Sequence, residues 1–462
     1  MDPNRPHYNL TFAILAVAGI AFALLQSLVA PALGAIQTDL HTSTTAVAWI
    51  ITGYLLSASV ATPVVGRLGD MFGKKRMLVV TLAIVAAGTL VAALATKVGV
   101  LIAGRVIQGA GGAIFPLSFA IIRDEFPRER VATGIALISG ILGVGGGLGI
   151  VLAGPITEHL SYHWLFWFPL GAVALAAVAA QVVIPESPIR SPGRIDWAGG
   201  ALLSAWLVAL LVGVSEAPSW GWGSPRVLGL FAAAAVLLVL WVRVEGAVDG
   251  ALVDMRMMRL HGVWTTNLTG LLLGFGMYSS FVLIPEFVEL PSSGGLGFGA
   301  SVTEAGIFLL PSTVAMLLVS PLAGRLSNTV GSRVPLVAGT ALTAAAYAFL
   351  AAEHGSPWNV YVSTGLMGAG VGFSFGAMAN LIVEAVRPEE TGVATGMNTI
   401  VRTIGGALGS QVSASIVAVA SDSAYTTAFA VSAGAVLVSV LASLSVPGRR
   451  SRVELGLVRS PS

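Results

Sequence analysis

Fourteen long apolar runs tile this chain nearly end to end, near 10–30, 45–65, 77–96, 99–122, 131–156, 164–184, 197–214, 227–242, 263–285, 305–323, 334–352, 358–383, 393–420 and 428–446. A helix that crosses a bilayer needs about 20 predominantly apolar residues, and it satisfies its own backbone polar groups where no water can. Hydrophobic residues make up 55% of the 462 and charged residues only 10%, with a mean hydropathy of +0.87. A soluble domain of this length could not bury so much apolar surface. The runs therefore predict an all-α integral membrane protein of 14 transmembrane helices, with little chain left over for a soluble domain. The first run is full length and no small-residue cleavage site follows it, so it is expected to remain as the first helix.

The charge pattern tests that count. If both termini lie on the cytoplasmic side, then of the 24 lysines and arginines only Lys97 and Arg226 fall outside, and Arg105 and Arg402 fall within spans. Such asymmetry follows the positive-inside rule and requires an even number of spans. Arginine far outnumbers lysine, which points to a GC-rich bacterial genome and to a multi-pass protein of the bacterial inner membrane. The net charge of +2 carries no nucleic-acid signal, and the arginines at 449–452 beside the last span read as a membrane anchor. Cysteine is absent, which excludes disulfides, thiolate metal sites and cysteine nucleophiles.

Three landmarks occur twice, in the same order. GRLGDMFGKKR at 66–76 returns as GRLSNTVGSR at 324–333, GAGG at 109–112 returns as GAGV at 368–371, and VATG at 131–134 returns at 393–396. Parallel repeats of six spans are a transporter architecture. The division expected is a six-helix bundle over 8–185, two extra spans and an interfacial linker over 186–262, a second six-helix bundle over 263–447 and a cytoplasmic tail over 448–462. Within the linker, Asp254–Arg259 reads as a short helix at the inner surface.

With these motifs in place the chain resembles the major facilitator superfamily over about residues 8–447, specifically its fourteen-helix drug:proton antiporter branch. The most specific element is Gly66, Leu68, Asp70, Gly73, Lys74 and Lys75, matching the family's loop between spans 2 and 3. Gly66 and Gly73 permit tight backbone geometry there. Asp70 can cap the N-terminus of a helix from the other half, where the dipole favours negative charge, or pair with Lys74. The resemblance implies that this cluster latches the cytoplasmic side shut, with Asp124 at the end of span 4 joining the relay. Asn328 stands where Asp70 would recur, so the second copy has lost the charge.

RVIQGAGGA resembles the family's span 4 motif and supplies Arg105 and Gln108. Two roles fit Arg105: a proton-coupling or substrate-orienting cation, or an arginine that snorkels to the outer interface. Arg402 lies about 14 Å into its span, too deep to snorkel easily, so a cavity-facing role is the default, with a purely bundle-stabilising role as the alternative. It shares a helix face with Asn398. In span 5, Gly143 with Gly147 and Gly145 with Gly149 are G-x-x-x-G pairs suited to close helix approach. The proline that the antiporter branch carries mid-helix is replaced by Gly146. The aspartate usual in span 1 of that branch is also missing, with Leu25 at its position and Gln26 the one strongly polar side chain nearby. Among carboxylates close to spans, Glu286 is the chosen protonatable candidate, against the alternative of an ordinary solvated acid.

The remaining cavity lining is expected to include Asn267 and Tyr278 among apolar and aromatic neighbours such as Tyr54, Phe115 and Phe281. The glycine strings lie inside spans and form no Walker loop, and His159 with His163 lack a third metal ligand. The resulting expectation is a non-enzymatic secondary exporter of amphipathic small molecules, driven by protons, in contact with membrane lipids, without cofactor, metal or nucleic acid, and monomeric. An uncoupled facilitator, an exporter of one endogenous metabolite or lipid, or a non-transporting membrane sensor are the alternatives.

Overall fold

The computed structural model describes residues 8–42, 44–187, 196–248, 251–292, 296–418 and 421–448. Arg5, Arg190, Arg194 and the basic tail from 449 onward, all invoked in the charge argument, lie outside the described residues. The fourteen long helices are α1 (Tyr8–Ser27), α2 (Thr44–Phe72), α3 (Lys74–Ala93), α4 (Val98–Glu125), α5 (Arg128–His159), α6 (Trp164–Val183) and α7 (Trp197–Trp220). They continue as α8 (Pro225–Ala247), α9 (His261–Glu289), α10 (Val302–Val330), α11 (Arg333–Ala352), α12 (Pro357–Ala385), α13 (Thr391–Val417) and α14 (Asp422–Ser445). No strand occurs among the described residues. Thirteen of these helices are apolar and long enough to cross a membrane on composition alone. The fourteenth, α13, carries Thr395, Asn398, Thr399, Arg402 and Thr403, and it is enclosed by other helices.

Local sequence explains where the helices start and stop. Ser224 caps α8 and is followed by Pro225, which suits the first helical position. Ser301 and Glu304 form a reciprocal capping box at the start of α10. Gly73 ends α2 at φ 114°, and Gly331, its counterpart in the repeat, ends α10 at φ 93°; both conformations disfavour a side chain. Inside α4, Gly109–Ala113 tightens to a 3₁₀ turn. The short helix expected near Asp254 is Met255–Met258, with the Asp254 side chain accepting from the Arg256 amide at 2.7 Å.

Side chains of α1–α6 form one apolar core, including Leu15, Phe22, Leu82, Phe115 and Phe166. Those of α9–α14 form a second around Phe287, Tyr347, Phe375 and Phe429. The extra helices α7 and α8 pack against the α13 side through Leu203, Trp206, Trp241, Val393 and Met397. Buried Glu245 fastens this insert, accepting from Trp241 Nε1 and the Val253 amide, each at 3.1 Å. The outer faces of the bundles stay apolar: Leu175, Val182, Leu318 and Leu441 are each at least 65% exposed. In a water-soluble protein so much exposed apolar surface would be a liability. Here it faces lipid, and the chain is a multi-pass membrane protein.

Small residues let the helices close on one another. On α5, Gly143 and Gly147 face Met316 and Thr313 of α10, whereas Gly145 and Gly149 face Ala23 and Ser27 of α1. The two G-x-x-x-G pairs thus serve two different partners. Gly146 has open space around it, and α5 runs unbroken through that point. The glycine series Gly368, Gly372 and Gly376 of α12 lies against Ser312 and Met316 of α10 and Ala136 of α5. In the second bundle, α9 and α13 cross backbone to backbone: a methyl on Gly405 would strike the Leu271 carbonyl, and one on Gly409 that of Phe275. Gly434, on the outer face of α14, has nothing near it. Gly405→Ala should therefore lower the melting temperature of the detergent-solubilised protein, at an overpacking cost of about 1–3 kcal/mol. Gly434→Ala should leave it equal or slightly higher, because alanine favours a helix by about 1 kcal/mol over glycine.

Candidate functional site

The two halves meet through the repeated landmarks themselves. Asp70, fully buried near the end of α2, accepts from the backbone amides of Gly392 at 3.2 Å and Val393 at 3.1 Å. Those amides belong to the first turn of α13, where unsatisfied N–H groups and the helix dipole both favour an anion. The approach requires Gly66, since a Cβ there would lie 2.7 Å from the Gly392 carbonyl. The second copy of the motif makes the reciprocal crossing. Asn328 donates to the Glu129 carbonyl at 2.9 Å and to Thr133 Oγ1 at 3.2 Å at the start of α5, and Gly324 abuts the Thr133 backbone. In each half, the loop motif of one bundle docks on the VATG helix of the other. Only the first copy docks through a charged side chain, Asp70, where the second has Asn328.

A second polar layer supports this contact. Lys74 pairs with Asp124 at 2.5 Å, and both side chains are buried. The Asp124 oxygen that takes Lys74 also accepts from the Ser187 hydroxyl. Glu186 caps α3 through the backbone amides of Lys75 at 3.2 Å and Arg76 at 3.1 Å, so Lys75 contributes its N–H there. Gly73 is needed twice, for its positive φ and because a Cβ would press within 2.6 Å of the Glu186 carboxyl. Arg123 reaches across the halves to Thr391 Oγ1 at 2.5 Å and to the Val386 carbonyl at 3.0 Å. Breaking a buried ion pair by removing one partner costs about 3–5 kcal/mol, so Lys74 and Asp124 hold this end of the first bundle firmly.

Deeper in the molecule, two contiguous narrow cavities lie between the halves. The first is bounded by Phe22 and Gln26 of α1, Tyr54 of α2, Phe115 of α4, Tyr278 of α9 and Arg402 of α13. The second shares Phe115, Leu142, Thr399 and Arg402 with it and adds Phe119, Ser139, Phe375 and Asn398. No aspartate or glutamate lines either one. Gln26 donates to the Tyr278 hydroxyl at 3.2 Å, closing the cavity between α1 and α9. Asn398 donates to Asn267 Oδ1 at 2.9 Å. Arg402 stacks on Phe375, 4.3 Å from the ring centre.

The expected residues thus fall into two groups and two exceptions. Gly66, Asp70, Gly73, Lys74 and Asp124 come together at one end. Gln26, Tyr278, Asn398 and Arg402 line the cavities, with Asn267 behind Asn398. Arg105 belongs to neither group: it does not snorkel, and it lines neither of these two cavities. It is fully buried, with its guanidinium 4.1 Å from the Tyr54 ring centre, and it donates to the Leu25 carbonyl and Gln108 Oε1 at 2.8 Å and to the Ile50 carbonyl at 3.3 Å. Gln108 passes the chain on to Thr89 at 3.1 Å. These bonds tie α1, α2, α3 and α4 together behind the cavity wall. Glu286 is the other exception. Its side chain is exposed at the end of α9 remote from Asp70, outside both cavities, because Phe287 and Val288 take the buried faces of that turn. Sequence reasoning missed Glu186, Ser187 and Thr391, and read Arg123 only as a topology marker. The sole available signal was Arg123 standing next to Asp124.

Comparison with known proteins accords with this architecture. The Major Facilitator Superfamily description matches residues 15–289 and again residues 266–459. A tetracenomycin C resistance and export protein from Streptomyces glaucescens is 31% identical over 413 residues, which is 87% of this chain and 74% of that protein. Multidrug resistance protein 3 of Bacillus subtilis (strain 168) is 28% identical over 404 residues, 85% of this chain and 77% of that one. The crystal structure of the human organic anion transporter MFSD10 (TETRAN) covers 95% of this chain and 100% of its own at a TM-score of 0.68. At 17% identity, that likeness is one of fold alone. The family description covers nearly the whole chain, once for each half, and the chain belongs to the Major Facilitator Superfamily.

Proposed function

We propose that this protein is a secondary exporter of amphipathic, drug-like small molecules that works by alternating access, with proton antiport as the driving force. The observation that carries the proposal is the pairing of a cavity walled by both halves with a charged contact closing one end between them. The names of the relatives, a tetracenomycin C export protein and multidrug resistance proteins, support the same substrate class. In this reading the Asp70 end is cytoplasmic, the protein sits in a bacterial inner membrane surrounded by lipid, and one chain suffices for transport. The state described is closed at the Asp70 end, and the cavities are too narrow for a drug-sized molecule, which needs roughly 300 Å³ or more. Opening requires Asp70 to leave the α13 N-terminus. The absence of any carboxylate along the described cavity walls favours one second reading, an uncoupled facilitator.

Purified protein in liposomes distinguishes the two. With an imposed pH gradient, aromatic dyes of both charge signs are followed beside an internal pH probe. Dye movement with proton counter-flow is the expected result; dye movement insensitive to the gradient selects the facilitator, and no movement of any dye removes the drug-exporter reading. Asp70→Asn keeps one acceptor oxygen for one of the Gly392 and Val393 amides and presents an N–H₂ to the other. It loses a charge-assisted contact of about 1.5–3 kcal/mol, so flux should fall about tenfold, with expression near normal and only a modest drop in melting temperature. Unchanged flux would remove Asp70 from the gate. Lys74→Met strands the buried Asp124 carboxylate and should lower the melting temperature far more than Asp70→Asn does, and the Lys74→Met/Asp124→Leu double variant should recover much of the loss.

A further inference from the structure

Two arginines of this chain look alike and are held differently: Arg105 is fully buried and Arg402 half-buried. Each lies within a span and rests on an aromatic face, Arg105 on Tyr54 and Arg402 on Phe375. A guanidinium carries five N–H donors and no acceptor. Arg105 gives its Nε and Nη1 donors to two backbone carbonyls and to Gln108, leaves only Nη2 without a partner, and lines neither cavity. Arg402 has no hydrogen bond and no ion pair among the described residues; its one contact of note is the Phe375 ring. It lies about 17 Å along α13 from Thr391 and opens onto both cavities. A cation at that depth is costly unless something compensates it. The ring face compensates in part, but it accepts none of the guanidinium N–H bonds. The rest of the wall is aromatic and hydroxylic: Phe22, Phe115, Tyr54, Tyr278 and Thr399 supply stacking surface and neutral hydrogen-bonding groups, and nothing there carries a negative charge.

From this arrangement we infer that the central site selects amphipathic aromatic molecules bearing a negative charge, a carboxylate or phenolate, and disfavours organic cations. Arg402 is the counter-charge, because a planar guanidinium matches a planar oxyanion in two-point geometry. An entering anion meets donors that have no other partner and cancels the charge. An entering cation must be desolvated beside a fixed positive charge with no carboxylate to meet it. The Gln26–Tyr278 hydrogen bond stands at the same cavity and offers further neutral contacts to the aromatic body. The inference rests on the reading of this cavity as the transport site.

Two dyes on one xanthene scaffold test it: fluorescein, an anion at neutral pH, and rhodamine 123, a cation. Binding to the full-length detergent-purified chain is read by fluorescence anisotropy, with melting recorded for every variant. The native protein should bind fluorescein at least about tenfold more tightly than rhodamine 123. Arg402→Gln should lose that preference and bind rhodamine 123 more tightly than the native protein does, a gain that a merely structural role would not produce. Arg402→Lys should keep part of the preference. Equal or tighter binding of the cation by the native protein overturns the inference, whether or not the variants fold, and leaves the exporter reading standing. A folded Arg402→Gln variant that retains the preference overturns it too. Binding of neither dye to the native protein removes the cavity as a site for such aromatics, and the charge preference with it.

Discussion

The structure turns on one electrostatic contact, a buried carboxylate set on the N-terminus of a helix from the opposite bundle. Asp70 accepts from the Gly392 and Val393 amides, and almost everything around it makes that approach feasible. Gly66 has no side chain to hold the backbones apart. Gly73 turns the chain sharply so that α3 can start at once. Lys74 and Asp124 neutralise each other beside it, and Glu186 caps the new helix. A carboxylate buried without donors would be expensive, so the loop is stable only when α13 supplies its first turn. That dependence links the conformation of one half to the position of the other.

The repeat gives this contact a neutral twin. Asn328 docks at the head of α5 with its amide donating, whereas Asp70 docks at the head of α13 with its carboxylate accepting. One crossing is charged and the other is not. Charge-assisted hydrogen bonds are roughly twice as strong as neutral ones, so the α2–α13 side carries more of the closure. Beyond Asp70 and the Arg123 contacts to Thr391 and the Val386 carbonyl, the interface is neutral: glycines of α5 pack on α10 and Gly376 of α12 packs on Ala136 of α5, and such surfaces can slide or separate without stranding a charge. The charged links at the head of α13, Asp70 and Arg123, are thus the elements whose breakage has a distinct free-energy cost.

Much of this was legible beforehand, and the gaps have a physical pattern. Membrane spans announce themselves by length and composition, and the repeated loop motif fixed their pairing into halves. What could not be read was which face of each helix points where. In a soluble bundle the apolar stripe marks the core, but here lipid and core are both apolar and the stripe is lost. Arg105 and Arg402 therefore looked equivalent, although one is absorbed by carbonyls of α1 and α2 and the other opens on the cavities. Glu286 looked like the nearest usable acid because sequence shows depth along a helix and hides azimuth. The two landmarks GRLGD and VATG were visible as separate repeats, while their contact with each other depends on how the bundles are docked.

The chain has no native cysteine, so a single introduced pair can report on the gate without background. Arg76 on α3 and Val330 on α10 are both exposed at the Asp70 end, one in each half. Spin labels at these two positions, read by pulsed electron paramagnetic resonance in lipid, measure the separation of the halves directly. If Asp70 holds this end closed, the native protein gives a dominant short distance, and Asp70→Asn shifts population to a longer one. Superimposable distance distributions with and without the carboxylate would contradict the claim that this contact closes the transporter.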